Sequence, residues 1–319
     1  MINFPVIHWK RPDAHTWTLR SMAADVRWSK IAYARPPKNI FAAIAYSEDT
    51  LTLAVTARSQ DGVTWTNGTA PIGQWEGILW AQELGLFVAV ANDAFDTDTV
   101  CTSSDGITYV SRVGYAGTWN ALGWNGTTVL AIEGGVGASA MSSTNGLDWT
   151  IHANALQSVG DGWYAVKWFA AGGVWVATNG TLIATSPDGV TWTQRYDSAA
   201  VFQILSFSTN DNVMVGLSAS SDSYVTSPDG ITWTLRTMGL GFAGYWSAVE
   251  WNGTLFCAVA QTSTGDYCAT SATGTSGWAA RPNAPAQQWN SLAWSAHLEM
   301  FAALSINGAN RIMTSSTGS

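Results

Sequence analysis

Charge is scarce in this chain. Of its 319 residues only 11% are Asp, Glu, Lys or Arg, with 14 Lys+Arg against 22 Asp+Glu, a net charge of -8 and a pI near 4.8. The bases stand singly and form no stripe, which argues against binding nucleic acid or an anionic membrane by counterion release. No run of about 18 apolar residues occurs, so no membrane-spanning helix and no membrane insertion are expected. Met1–Asp13 lacks the uninterrupted apolar stretch of a secretory leader, and the expectation is a chain made in a cytoplasm and not exported. The three cysteines, Cys101, Cys257 and Cys268, are too few for a disulfide framework and have no CxxC spacing. Cys257 and Cys268 fall on consecutive expected strands, either as two buried thiols or as a facing pair. The four histidines, His8, His15, His152 and His297, are dispersed, which leaves a histidine metal site or a Ser/His/Asp triad without support.

Tryptophan and glycine are abundant instead, at 19 and 31 residues. One phrase accounts for many of them. Ser-x-Asp-Gly-x-Thr-Trp occurs at Ser59–Trp65, Ser186–Trp192 and Ser227–Trp233, and with small changes at Ser103–Tyr109 and Ser143–Trp149. A degenerate copy, with Thr273 in place of the acid, runs from Ser271 to Trp278. A seventh is split: the chain ends on Ser315–Ser319, the first part of the phrase, and Thr16-Trp17-Thr18 near its start supplies the last part. A closed ring of repeats explains the split.

A second repeat leads to the same count. Two aromatics separated by four residues recur at Trp28–Tyr33, Trp75–Trp80, Trp119–Trp124, Trp163–Trp168, Phe202–Phe207, Trp246–Trp251 and Trp289–Trp294. The fourth residue of each, Ile31, Ile78, Leu122, Val166, Leu205, Val249 or Leu292, shares a strand face with the second aromatic while the first aromatic points the other way. Both faces are therefore expected to be buried. An apolar run, a Thr-Ser strand end, the turn phrase and a Thr-Trp strand start follow each copy. Four short strands per period of about 40–45 residues predict an all-β fold, a single seven-bladed β-propeller of four-stranded antiparallel blades. Its ring is closed by pairing an N-terminal strand with the C-terminal blade. The expected organisation is an N-terminal arm at 1–15 and a propeller at 16–319, with blades at about 28–66, 75–110, 119–150, 163–193, 202–234, 246–279, and 289–319 completed by 16–19.

The repeated acid has a local explanation. In Asp-Gly between strands the carboxylate accepts N–H groups of its own turn and Gly takes a positive φ, while Ser and Thr add short-range bonds and Trp covers the turn. Asp61, Asp105, Asp188 and Asp229, with Asn145 as the uncharged equivalent, are accordingly expected to fasten turns. This phrase resembles the Asp-box, or BNR repeat, of sialidases, sortilin-type receptors, two-domain xyloglucanases, a photosystem assembly factor and propeller lectins. The combination TSPDGITWTLR followed by WSAVEWNGTLFCAVA is most similar to repeat arrays of bacteriophage tail and virion proteins. The resemblance covers nearly the whole chain, and it specifies fold more than function.

A sialidase of this resemblance needs an arginine triad and a Phe/Tyr-Arg-Ile-Pro phrase. The pairs Arg11-Pro12, Arg35-Pro36 and Arg281-Pro282 lack its flanking residues. A glycoside hydrolase needs two carboxyls about 5–9.5 Å apart, and the loop acids Asp93, Asp96, Asp98, Asp161, Asp197, Asp222 and Asp266 are marked by no motif. Asp93, Asp96 and Asp98 are also the weak candidates for a Ca²⁺ site, against the alternative of a solvated turn; otherwise no cofactor or metal is expected. A binding role fits the aromatics and small polar residues of the loops between blades and of the hairpins joining second to third strands. Tyr115, Tyr196 and Tyr245 with Asp161 and Asp197 are the expected contact residues. The phage resemblance implies a virion protein of the tail or tail tip, made in the host cytoplasm, whose partners are other virion proteins, a host surface glycan or a host protein. A lectin outside any virion and a glycoside hydrolase are the alternatives.

Overall fold

The computed structural model describes residues 16–46, 54–93, 98–198, 204–210, 212–219, 221–308 and 310–315, with backbone alone for 204–207. The N-terminal arm 1–15, Asp96, Phe202 and residues 316–319 lie outside the described residues, as do the side chains of Leu205 and Phe207.

The described chain is all β apart from one 3-10 turn at Gln157–Val159. β1 (Trp17–Arg20) comes first. Then follow β2 (Trp28–Ala34), β3 (Ile40–Ala45), β4 (Ala54–Ser59) and β5 (Thr66–Ala70); β6 (Trp75–Ala81), β7 (Leu86–Asp93), β8 (Val100–Ser103) and β9 (Val110–Arg112); and β10 (Gly117–Trp124), β11 (Val129–Glu133), β12 (Ala140–Ser143) and β13 (Thr150–His152). After the 3-10 turn come β14 (Ala165–Phe169), β15 (Val174–Thr178), β16 (Leu182–Ser186) and β17 (Thr193–Asp197), then β18 (Ile204–Thr209), β19 (Met214–Ser218), β20 (Ser223–Ser227) and β21 (Thr234–Thr237). β22 (Gly244–Trp251), β23 (Phe256–Ser263), β24 (Cys268–Ser271), β25 (Ala279–Ala280), β26 (Trp289–Ser295), β27 (Met300–Ser305) and β28 (Ile312–Ser315) complete the order.

These strands form antiparallel meanders. β2–β5, β14–β17, β18–β21 and β22–β25 are four-stranded sheets, and a further one has the order β1-β28-β27-β26. β6–β9 and β10–β13 are joined into one eight-stranded sheet where Gly117 and Thr118 of β10 pair with Asp93 and Asn92 of β7. In the sheet holding both ends of the chain, β1 runs antiparallel to β28 with Trp17 opposite Ser315 and Arg20 opposite Ile312.

Second strands are continuous apolar runs because both of their faces are covered. All of Ile40–Ala45 is buried, as are Phe87–Ala91 and Phe256–Ala260. Each core cluster lies between two sheets. Ala42 and Ile44 pack with Trp75 and Phe87, for instance, and Trp28, Phe41 and Trp65 pack with Ala302, Leu304 and Ile312. The first aromatics Trp28, Trp75, Trp119, Trp163, Trp246 and Trp289 are fully buried in these layers.

The second aromatics depart from expectation. Tyr33, Trp80, Trp124, Trp168, Trp251 and Trp294 are half-exposed, so the face they share with the buried Ile31, Val166, Val249 and Leu292 is sealed only in part. A register slip accounts for part of this. In β2, β6, β10 and β26 the pairing shifts between the first aromatic and the second residue after it. Such a bulge re-aims the intervening side chain. Asn120 there donates to the carbonyl of Trp163, and Asn290 to that of Ser29, each reaching the neighbouring sheet at 3.4 and 3.0 Å. β22 also shifts at Trp246, and Ser247 donates to the carbonyl of Trp289 at 2.5 Å.

At the far end of the third strand the phrase forms a self-bonded turn. Asp61 Oδ1 accepts from Val63 N at 2.8 Å, Thr64 N at 2.7 Å and Ser59 Oγ at 2.9 Å, while Gly62 N donates to Ser59 Oγ at 2.8 Å. The same set recurs around Asp105, Asn145 and Asp188. Gly62 has φ +72°, and a Cβ there would meet Met300 Sδ at 2.8 Å, so both conformation and space call for glycine. One step further along, arginines of the outermost strands repeat as well. Arg20, Arg112, Arg195 and Arg236, with Arg281 just past the end of β25, each donate through Nε to a threonine of the adjoining third strand, Thr314, Thr102, Thr185, Thr226 and Thr270. A third of the basic residues, read from sequence as scattered, thus fasten strand edges.

Candidate functional site

The innermost strands β2, β6, β10, β14, β22 and β26 line an axial space whose aromatics repeat and whose charged residues do not. One end is a cavity of about 470 Å³ with walls of Tyr33, Trp80, Trp124, Trp168 and Trp294. These rings are held from behind by the second strand. Tyr33 packs on Phe41, Trp80 on Phe87, Trp168 on Trp175 and Trp294 on Phe301, with ring centroids 4.6–5.2 Å apart. Each of these is also a directly opposed cross-strand pair. Two indoles are locked at the rim. Trp80 Nε1 donates to Gln82 Oε1 at 2.7 Å, Gln82 Nε2 donates to the Pro36 carbonyl at 2.9 Å, and Trp124 Nε1 donates to Glu83 Oε2 at 2.7 Å.

Ile31, Ile78, Leu122 and Leu292 form an apolar girdle below the mouth and also line a smaller space of about 190 Å³ beyond it. Past the girdle the lining turns polar, with Lys30, Glu76, Asn120, Tyr164, Ser247 and Asn290. Burial pushes the Lys30 ammonium below the usual lysine range, opposed by the Glu76 carboxylate. Lys167 and Glu250, which face both spaces, form an ion pair at 3.8 Å. The axis therefore carries charge in opposite-sign sets.

The residues expected to make contacts lie elsewhere, at the opposite end of the inner strands. Tyr115 is exposed in the link before β10, and its hydroxyl donates to the Trp149 carbonyl at 3.4 Å. Asp161 is exposed in the link before β14, its carbonyl accepting from Asn179 Nδ2 at 3.1 Å. Tyr196 and Asp197, expected in a loop, belong to β17 and stand opposite Ile183 and Leu182, because the outer strand continues past Thr193. The Tyr196 ring packs against the cluster of Phe169, Val176 and Ile183, and burial, with Asp197 adding, raises its phenol. Tyr245 is the second residue of β22, its phenol raised by burial and by nearby Tyr164. No hydrogen bond joins Tyr115, Asp161 and Tyr245 to one another among the described residues.

Asp93 ends β7 opposite Gly117, Asp98 precedes β8, and Asp96 is outside the described residues. Among the described residues no group of three His, Cys, Asp or Glu side chains is placed to hold a metal ion. No helix among them is long and apolar enough to cross a membrane. In the repeated turns burial acts to raise the carboxyls of Asp61, Asp105, Asp188 and Asp229, and the backbone and hydroxyl donors outweigh it, holding all four below the usual carboxylate range. Cys257 and Cys268 are free and buried with sulfurs 3.6 Å apart, and burial pushes the Cys257 thiol well up.

Sequence reasoning passed over the mouth and the axial charges. The signal was present in the alignment of the repeats themselves. Lys30 stands where other inner strands have Gly77, Ala121 and Ala165, and Lys167 and Glu250 stand where others have Ala32, Gly123 and Ala293.

The fold defined by these meanders is that of a β-propeller. YCF48 from Cyanidioschyzon merolae is similar over 94% of this chain and 98% of its own, with a TM-score of 0.67 and 11% identity. Virginiamycin B lyase from Staphylococcus aureus matches over 94% and 98%, with a TM-score of 0.74 and 7% identity. The WD40 repeats of RRP9 match over 96% and 98%, with a TM-score of 0.70 and 10% identity. At such identities the likeness is one of fold. No protein-family model matches the sequence, and comparison with curated proteins gives no match.

Proposed function

We propose that the chain is a non-catalytic binding propeller of seven four-stranded blades, acting as a bacteriophage virion protein of the tail or tail tip. Ring closure through the termini is supported by the β1–β28 pairing and by two bonds from β26 to β2, Asn290 Nδ2 to the Ser29 carbonyl and Ile31 N to Ser291 Oγ at 3.2 Å. The observation that carries a binding role is the preorganised channel mouth, where half-exposed aromatics are fixed by cross-strand stacking and rim hydrogen bonds. The most repeated carboxylates favour the ionised state, which suits turn acceptors and not a general acid. A fold neighbour described as YCF48 bound to D1 peptide lends support to a protein partner, at 11% identity and a TM-score of 0.67.

The virion assignment rests on the resemblance of the repeats to Asp-box arrays of phage tail proteins. Residues 1–15 then serve either as an arm docking to another virion protein or as a strap over the last blade, and the propeller meets a host surface glycan or protein. Immunogold labelling with antibody against this chain is expected to decorate released particles, and excess soluble propeller is expected to compete for host attachment. Absence from purified particles, with the protein free in uninfected cells, would overturn the virion reading and favour a lectin outside any virion. Hydrolysis of aryl-glycosides abolished by Asp161→Asn or Asp197→Asn would favour a glycoside hydrolase.

A further inference from the structure

We infer that the aromatic channel mouth is a binding site for a neutral oligosaccharide, entering end-on between Trp80, Trp124, Trp168 and Trp294. This deepens the binding reading above and moves its site to the end of the axis opposite Tyr115 and Asp161. Three features select the ligand class.

The first is the wall. Half-exposed indoles around a concave space offer apolar ring surface to the C–H side of a pyranose. Their positions are set before any ligand arrives, since Trp168 leans on Trp175 at 5.2 Å and Trp294 on Phe301 at 4.6 Å. Little rotamer entropy remains to be lost on binding.

The second is the charge. Among the described lining residues the mouth has two cations, Arg35 and Lys167, and two anions, Glu83 and Glu250. Lys167 and Glu250 pair with each other. A lining that sums to zero offers no field to concentrate an anionic sugar or a basic peptide, yet it is rich in donors and acceptors for hydroxyl groups.

The third is size and closure. A space of about 470 Å³ lies within the range of about 300–1,000 Å³ usual for small-molecule sites. At the junction shared by both spaces, Ile31, Ile78, Leu122 and Leu292 stand with the Lys167–Glu250 ion pair, and beyond it the space shrinks to about 190 Å³, which limits how far a ligand descends. The mouth thus takes the end of a glycan rather than threading a chain through the axis.

The test uses the full-length chain on an array of neutral oligosaccharides of two to four rings, beside sialylated and sulfated ones, with hits followed by titration of tryptophan fluorescence. The expected result is binding of at least one neutral oligosaccharide with altered indole emission. Trp168→Ala is expected to weaken it at least tenfold, and Tyr115→Ala at the other end to leave it unchanged. Trp168→Phe keeps a ring against Trp175, so it is expected to fold as the parent and to retain part of the affinity if the alanine variant misfolds. No neutral hit, binding confined to anionic glycans, or loss in Tyr115→Ala with none in Trp168→Ala would each overturn the inference. Particle labelling is independent of every one of these outcomes, so the virion reading stands or falls separately.

Discussion

Replacing Asp188 by alanine isolates what a repeated turn acid does. Asp188 Oδ1 accepts from Val190 N, Thr191 N and Ser186 Oγ, all at 2.8 Å. Removing it leaves two backbone donors without their acceptor, each worth about 0.5–1.5 kcal/mol net. Val190 and Thr191 are exposed and water replaces the carboxylate, which places the loss at about 1–2 kcal/mol. The pH dependence has a definite sign. Burial acts to raise this carboxyl, but the N–H groups of Thr191 and Val190 and the Ser186 hydroxyl outweigh it, so the folded-state value lies below the unfolded one. Its contribution is complete above the unfolded value of about 3.9 and is lost as pH falls through the lower folded value. Urea unfolding followed by tryptophan emission is therefore expected to show a lower midpoint for Asp188→Ala at pH 7, with the gap narrowing below about pH 4. Asp188→Asn is the control. Asn145 keeps the same acceptor geometry without charge, taking Leu147 N at 2.8 Å and Asp148 N at 2.9 Å. The amide variant is expected to lose less than the alanine variant, by an amount that does not change with pH because neither side chain titrates. Equal losses for Asn and Ala, or a gap that widens in acid, would refute the hydrogen-bond account.

Trp17, 6% exposed and packed beside Phe301, is expected to cost about 3–5 kcal/mol when changed to alanine, read as a fall in melting temperature; a truncation lacking 1–20 that melts like the parent and stays monomeric would refute closure through β1. Lys30→Met is expected to raise stability at pH 7, because it removes a half-buried ammonium that desolvation, against the attraction of Glu76, holds below its ordinary value of 10.5. In the parent that penalty is relieved as pH rises from the folded value toward 10.5, so the advantage of the methionine variant should shrink over the same window in denaturant titrations, and an advantage that grows would contradict it. Cys101, Cys257 and Cys268 are fully buried, so a maleimide is expected to label none of them in the native protein and all three in denaturant; rapid native labelling would show that these sheets open.

Strands and turns were legible in the sequence because their causes are local. Apolar runs such as Phe256–Ala260 announce strands covered on both faces, and Ser-x-Asp-Gly-x-Thr-Trp carries within seven residues every donor and acceptor its turn uses. Pairing across the length of the chain, Trp17 with Ser315, was legible only because one phrase was divided between the two termini. The bulge after the first aromatic was not legible. It turns Asn120, Ser247 and Asn290 toward the adjacent sheet, a consequence of inter-sheet geometry that strict alternation along one strand does not contain. The same slip contributes to the half-exposure of the second aromatics, which an expectation of two sealed faces did not contain. Tyr196 and Asp197 were misplaced for a simpler reason: polar residues Thr193–Asp197 read as loop, yet an outermost strand faces solvent and tolerates them.

The positions that repeat and the positions that do not answer different physical demands. A first aromatic, a turn glycine or an outer-strand arginine meets the same surroundings in sheet after sheet, so packing and hydrogen bonding favour the same residue each time. Side chains on the axis meet instead a shared space in which each sheet supplies one element of a common lining. Gly123 is small for a local reason, since a Cβ there would meet the Trp175 ring at 2.7 Å, whereas the equivalent places in two other sheets hold Lys167 and Glu250. A cation there is tolerable because an anion from another sheet answers it, which makes these charges a property of the assembled sheets and of no single repeat. On the proposed reading the repeated second aromatics supply the wall of the channel mouth and the unrepeated Lys167 and Glu250 its polarity, while the turns and edges that resemble one another hold that mouth in shape.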